Sequence, residues 1–178
     1  MWAIVGGSGF ESFEGVKEIR DLDRGTPFGE ASSGLRLIEF EGQEIIFLSR
    51  HGRHHELTPS EVNYRANIYA LKKYGVRKII SVSAVGSLQK DLAPGDLVVA
   101  SQYIDRTKGV RAHTYLGGGL VGHVSLAKPI WGEAAKAIRQ LVQDRNPKLD
   151  FKIHFDKTYV CIEGPYFSTQ AESNSYRQ

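Results

Sequence analysis

Arg50-His51-Gly52-Arg53-His54-His55 sets two guanidinium and three imidazole groups in six consecutive residues. A guanidinium offers a planar donor fork that fits phosphate and carboxylate oxygens. An imidazole adds a donor that can also be cationic near neutral pH. The chemistry this run suggests is capture of an oxyanion. Two other readings stand beside it: a solvated basic loop, and a zinc site, although the sequence has neither clustered cysteines nor an HExxH pattern. Gly6-Gly7-Ser8-Gly9 is a second candidate. Glycines let a backbone come close to a ligand, their amides can form an anion nest, and Ser8 adds a hydroxyl. The run is neither a Walker loop nor GxGxxG, so the alternative is a tight turn. Ser83-Ala84-Val85-Gly86-Ser87-Leu88 is the third candidate. Ser83 could donate through both amide and hydroxyl there, unless the small residues only allow tight packing.

Each candidate follows a run that reads as a strand. Trp2–Val5 precedes the glycines, Ile45–Leu48 precedes the basic run, and Val76–Val82 precedes Ser83. All three groups should therefore sit at strand C-termini, the edge where open α/β sheets bind ligands. Leu35–Phe40 and Glu44–Leu48 flank Glu41-Gly42-Gln43 as a hairpin. Gly25–Gly29 reads as a turn-rich loop. Thr58-Pro59-Ser60-Glu61 has capping-box spacing and predicts a helix with Pro59 at its first position and Gly75 as its stop. Val62, Ala66, Tyr69 and Lys73 would share one face of it, with Asn63 and Arg65 near its start and Arg65 on the solvated side. Leu97–Ala100 reads as a buried strand extended towards Asp105-Arg106-Thr107. Lys108–Val124, with three glycines and His123, reads as a long mobile loop of the kind that often carries function. Pro129–Arg145 is amphipathic, with Ile130, Ala134, Ala137, Ile138, Leu141 and Val142 as its buried stripe. Thr158–Ile162 is a last strand leading to Glu163-Gly164-Pro165-Tyr166-Phe167-Ser168. Thr169–Glu172 again has capping-box spacing.

With 178 residues and 41% hydrophobic content, the chain reads as one domain with a sizeable core. A net charge of +3 gives no reason to invoke nucleic acid or an anionic membrane. The one cysteine, Cys161, excludes an internal disulfide framework and fits a reducing compartment such as the cytoplasm. No run is long enough to span a bilayer, and no basic segment precedes Trp2, so neither a membrane span nor a signal peptide is expected.

Gly6–Phe10, Thr26–Gly29, Arg50–His55, Pro59–Asn67, Ser83–Leu88, Pro94-Gly95-Asp96 and Glu163–Ser168 occur in this order at consistent spacing. Through them, from Gly6 to Arg177, the sequence resembles the methylthioadenosine phosphorylases, the trimeric branch of the purine nucleoside phosphorylases. The resemblance implies an α/β fold with a mixed, partly barrel-like central sheet flanked by helices. It implies phosphorolysis of 5′-methylthioadenosine to adenine and 5-methylthioribose 1-phosphate, with inorganic phosphate as co-substrate and no cofactor or metal. Siblings acting on methylthioinosine, inosine or guanosine are the nearest alternatives. A phosphate-binding remnant without catalysis and a nucleoside hydrolase are further ones. By the resemblance, Ser8, Arg50, His51, Ser83 and Ala84 surround the phosphate. Phe167 stacks on the purine, and Ser168 lies beside it. His123 enters the 5′-substituent pocket of a neighbouring subunit, which implies a homotrimer. Residues 1–178 would form a single phosphorylase domain whose family pattern continues past Gln178. The general acid for the purine is expected in that continuation, so no turnover is expected of the 178 residues alone. Glu163, before a Gly-Pro turn, and Glu172, a capping partner, are poor substitutes for it.

Overall fold

The computed structural model describes residues 1–10, 14–145 and 148–177. They fall into two compact units, Met1–Val85 with Lys108–Tyr115, and Gly86–Thr107 with Leu116–Gln178.

The first unit is built on a five-stranded sheet. Its strands are β1 (Trp2–Gly6), β2 (Val16–Asp21), β5 (Leu35–Phe40), β6 (Gln43–Ser49) and β7 (Lys78–Val82), in the order β2-β5-β6-β1-β7. The short strands β3 (Gly25–Thr26) and β4 (Gly29–Glu30) form a separate ladder where Gly25–Gly29 reads as a turn-rich loop, and it extends one residue beyond that loop. β1 runs parallel to both neighbours: Ala3 pairs with Ile46 on one side and Ile79 on the other. β5 and β6 form the predicted hairpin, and the sheet is mixed as expected. Glu41 and Gly42 both have positive φ, 49° and 74°, which suits the two-residue hairpin turn whose twist matches the strands. No barrel closes among the described residues.

Alternation along the strands sends Ala3, Val5, Leu35, Leu37, Ile46 and Leu48 into one core cluster. Helix α1 (Tyr64–Lys73) completes that cluster with Ala66, Ala70 and Leu71. The buried stripe of α1 thus differs from the predicted one. Tyr69 is exposed, Lys73 pairs with Asp23 at 2.7 Å, and Asn67 is buried. The helix also starts later than the capping box suggests. Glu61 does reach back to the Thr58 amide and hydroxyl, at 2.9 and 2.7 Å. That bond closes only one turn, and Asn63 then caps the helix by accepting from the Ala66 amide. Two start signals follow one another, and the second is the one that opens the helix. At the other end Gly75 adopts φ +78°, and the Gly75 and Val76 amides bond Lys72 and Leu71 carbonyls in a Schellman arrangement. Arg65 is not on a solvated face either: it is half-buried, with its guanidinium 5.2 Å from the Phe28 ring centroid. Tyr115, from the predicted mobile loop, packs on the same ring and donates to the Arg65 carbonyl at 2.9 Å.

The second unit pairs β8 (Leu97–Asp105) with β9 (Ile153–Cys161) in parallel, beside α2 (Gly132–Arg145) and α3 (Gln170–Tyr176). The capping box at α3 is present in full, between Thr169 and Glu172. The expected burial of Leu97–Ala100 and of the α2 stripe is not found. Leu97 is exposed, no residue of α2 is buried, and Leu141 is 53% exposed. A two-stranded ribbon offers too little surface to cover a fourteen-residue helix. Asp96 instead ties this unit together. It accepts from the Lys152 amide at 2.9 Å, the Ala93 amide at 3.1 Å and the His154 ring at 2.8 Å. These bonds, the Lys152 amide first and His154 next, hold its carboxyl at about 2. No helix among the described residues is long and apolar enough to cross a membrane.

Candidate functional site

The three parallel strands β6, β1 and β7 end together, so the loops after Ser49, Gly6 and Val82 leave one edge of the sheet. Ser8, Arg50, His51, Ser83 and Ala84 are brought to that edge, as the strand argument predicts. The backbone bonds there are tight: the Arg50 amide donates to the Gly6 carbonyl and the Gly7 amide to the Val82 carbonyl, both at 2.8 Å. On this frame the Arg50 guanidinium donates to the Ser83 hydroxyl at 3.2 Å. Gly7 lies directly beneath the pair. A Cβ at this position would fall 2.6 Å from Arg50 Nη2 and 2.8 Å from Ser83 Oγ. Close approach, and not an unusual φ, is what requires glycine here. Ser8 and Ala84, next in chain, are exposed at the same edge.

His51 is buried, and its Nδ1 donates to the Leu57 carbonyl at 2.8 Å. The ring of His55 stacks on it at 4.9 Å between centroids. The other cation of the run has a different task. Arg53 reaches back to β2, with its guanidinium 2.5 Å from Asp21 and 3.8 Å from Glu18. Glu18 also pairs with the buried Arg36 at 3.2 Å. Burial pulls the Arg36 guanidinium below its ordinary value, and Glu18 opposes that shift. The basic run therefore divides into Arg50 and His51 at the strand ends and Arg53 as a strap to the carboxylates of β2.

Two serines anchor this loop, and sequence reading missed both. Ser32 Oγ donates to the Arg50 carbonyl at 2.8 Å. Ser33 Oγ accepts from the Arg53 amide at 2.7 Å and donates to the Glu56 carboxylate. The Ser33 bond is the main influence holding the Glu56 carboxyl below its usual value. Gly52, at φ +89°, leaves room for that carboxylate, which a Cβ would strike. In the sequence Asn67 stands only as the last residue of the Pro59–Asn67 motif. The one sequence signal for it is an asparagine on the apolar stripe of α1, where a polar side chain needs partners.

The remaining candidates belong to the second unit. Phe167 and Ser168 lie between β9 and α3, after a cis Gly164–Pro165 bond. Phe167 is 92% exposed, and Ser168 Oγ is 2.7 Å from Ser173 Oγ. His123 is exposed in the segment before α2. Among the described residues no group of three or more His, Cys, Asp or Glu side chains could hold a metal ion.

The family model of the phosphorylase superfamily matches residues 2–178. The chain belongs to the phosphorylase superfamily. Among its relatives is an S-methyl-5′-thioadenosine phosphorylase of Tuber melanosporum, 49% identical over 98% of this chain and 58% of that protein. The protein of the same name from Geobacter sulfurreducens is 45% identical over 98% of this chain and 59% of its own length. In structure, the chain superposes on a methylthioadenosine phosphorylase from an antarctic soil metagenomic library with a TM-score of 0.89 and 50% identity. That match covers 99% of this chain and 61% of the other. The chain thus spans about three-fifths of the length of these phosphorylases.

Proposed function

We propose that this phosphorylase chain carries the phosphate half of a nucleoside-cleaving site, and that the full-length protein converts 5′-methylthioadenosine and phosphate to adenine and 5-methylthioribose 1-phosphate. The observation that carries the reading is the meeting of the Arg50 guanidinium and the Ser83 hydroxyl over Gly7, whose missing side chain lets the two donors come together. The names of its relatives support the choice of nucleoside. Phosphate would lie among Ser8, Arg50, His51, Ser83 and the Ala84 amide. Because His51 Nδ1 is committed to Leu57, its Nε2 donates to an anion only when the ring is cationic; a phosphate hydroxyl can otherwise donate to it. A phosphate oxygen then attacks C1′ as the C1′–N9 bond breaks, and the electron pair leaves with the purine, which takes a proton at N7. The donors hold the nucleophile against an oxocarbenium-like centre, so positioning and electrostatics do most of the work. Phe167 would stack on the purine with Ser168 beside it, and His123 would serve a neighbouring subunit of a homotrimer. The protein would act in the cytoplasm as a single phosphorylase domain, with no cofactor beyond its co-substrate.

Assay of the full-length protein for adenine release, with and without phosphate, tests this. Phosphate-dependent release is expected. Release of free methylthioribose without phosphate would make it a hydrolase, and exclusive turnover of inosine or guanosine would move the base specificity. Sedimentation analysis tests the trimer.

A further inference from the structure

We infer that Asn67 is a positioning residue for the anion site, acting through the single hydroxyl proton of Ser32; this rests on the phosphate reading of Arg50. Asn67 is 4% and Ser32 3% exposed. The Asn67 carboxamide grips Ser32 twice, accepting from its amide at 2.7 Å and donating to its Oγ at 3.0 Å. A hydroxyl that accepts from Nδ2 has its one proton left to give, and it gives it to the Arg50 carbonyl at 2.8 Å. The Arg50 amide is held from the other side by the Gly6 carbonyl at 2.8 Å. Both polar groups of the Arg50 backbone are thus fixed, one by the central strand and one by a relay from the interior of α1. A guanidinium on a long side chain keeps a useful position only if its root does not move. Asn67 sets that root without reaching the anion itself. All the links are buried or half-buried, so water competes poorly for them.

The relay makes a specific chemical prediction for Asn67→Asp. The introduced carboxylate still accepts from the Ser32 amide. Its second oxygen can no longer donate to Ser32 Oγ and accepts the hydroxyl proton instead, so the Arg50 carbonyl loses its donor. Ser32→Ala removes the same link from the other end. The test is calorimetric titration of inorganic phosphate into the full-length protein, at a temperature where every variant is folded by circular dichroism. Both variants should weaken phosphate binding by roughly 5- to 20-fold. In kinetics the change should fall on KM for phosphate and leave KM for nucleoside near wild type. Ala70→Gly, on the same buried stripe of α1, is the stability control and should bind phosphate normally despite a lower Tm. Unchanged phosphate affinity in both relay variants would overturn the inference, and so would an equal loss in Ala70→Gly. If phosphate binds and the relay variants weaken it while no nucleoside is cleaved, the proposed function fails and the positioning role stands. If the wild type binds no phosphate, both fall.

Discussion

Gly7→Ala probes the proposed anion site without replacing any charged group. The new methyl would lie 2.6 Å from Arg50 Nη2, 2.8 Å from Ser83 Oγ and 3.1 Å from the Val82 carbonyl oxygen. Ordinary contact begins at about 3.5 Å. The carbonyl belongs to a paired strand and can give little, because the Gly7 amide bonds it. The yielding part is the end of Arg50, a flexible side chain, which must swing away and release its 3.2 Å bond to Ser83. A hydrogen bond from a charged donor contributes about 1.5–3 kcal/mol. Phosphate affinity should therefore fall by roughly 10- to 100-fold. The backbone frame keeps its bonds, so loss of fold stability should stay near 1 kcal/mol, at the low end for a small overpacking change. Calorimetry with inorganic phosphate measures the first quantity and thermal unfolding the second. Affinity within about twofold of wild type would refute the reasoning, since an anion held by Arg50 and Ser83 cannot ignore their separation.

Arg50→Ala should raise the barrier to phosphate-dependent cleavage by roughly 2–4 kcal/mol and leave nucleoside binding nearly unchanged, as read by kinetics with phosphate varied. Phe167→Ala should change Tm little, because the ring is 92% exposed, yet raise KM for the nucleoside several-fold; an unchanged KM would remove it from the purine site. Asp96, held at about 2, contributes stability in full above the unfolded aspartate value of about 4, and loses it as pH falls through about 2. Circular dichroism across that range should show acid unfolding of the β8–β9 unit, and Asp96→Asn should flatten that part of the profile.

Much of the site was legible because strand ends are legible. Hydrophobic runs at Trp2, Ile45 and Val76, each followed by donors, were enough to place Ser8, Arg50 and Ser83 on a common edge, and the parallel registers bear that out. The helix and hairpin stops were legible where glycine adopts positive φ, as at Gly42 and Gly75. Burial was misjudged where periodicity was the only guide. The stripe of α2 has the right spacing, but spacing does not say whether a surface exists to cover it. The Ser32–Asn67 link was out of reach, since its partners are 35 residues apart and neither belongs to a motif that calls for the other. The β2 strand was missed for another reason: Val16–Asp21 is charged and mostly exposed, and its partner β5 supplies the apolar side.

The parallel arrangement of the central strand has a kinetic consequence. β1 finds β6 and β7 only after long stretches of chain have closed upon themselves, as the pairing of Ala3 with Ile46 and Ile79 requires. Contacts so distant in sequence form slowly and late. A nascent chain that has emerged only through His55 already carries its most basic loop, yet it lacks the serine on which the Arg50 guanidinium rests. Anion binding should appear in one step, when β7 docks, and not grow gradually with chain length. A ligand captured at that moment joins three loops that meet only in the native sheet. Phosphate would then act as a clasp on the last-formed pairing and slow its release.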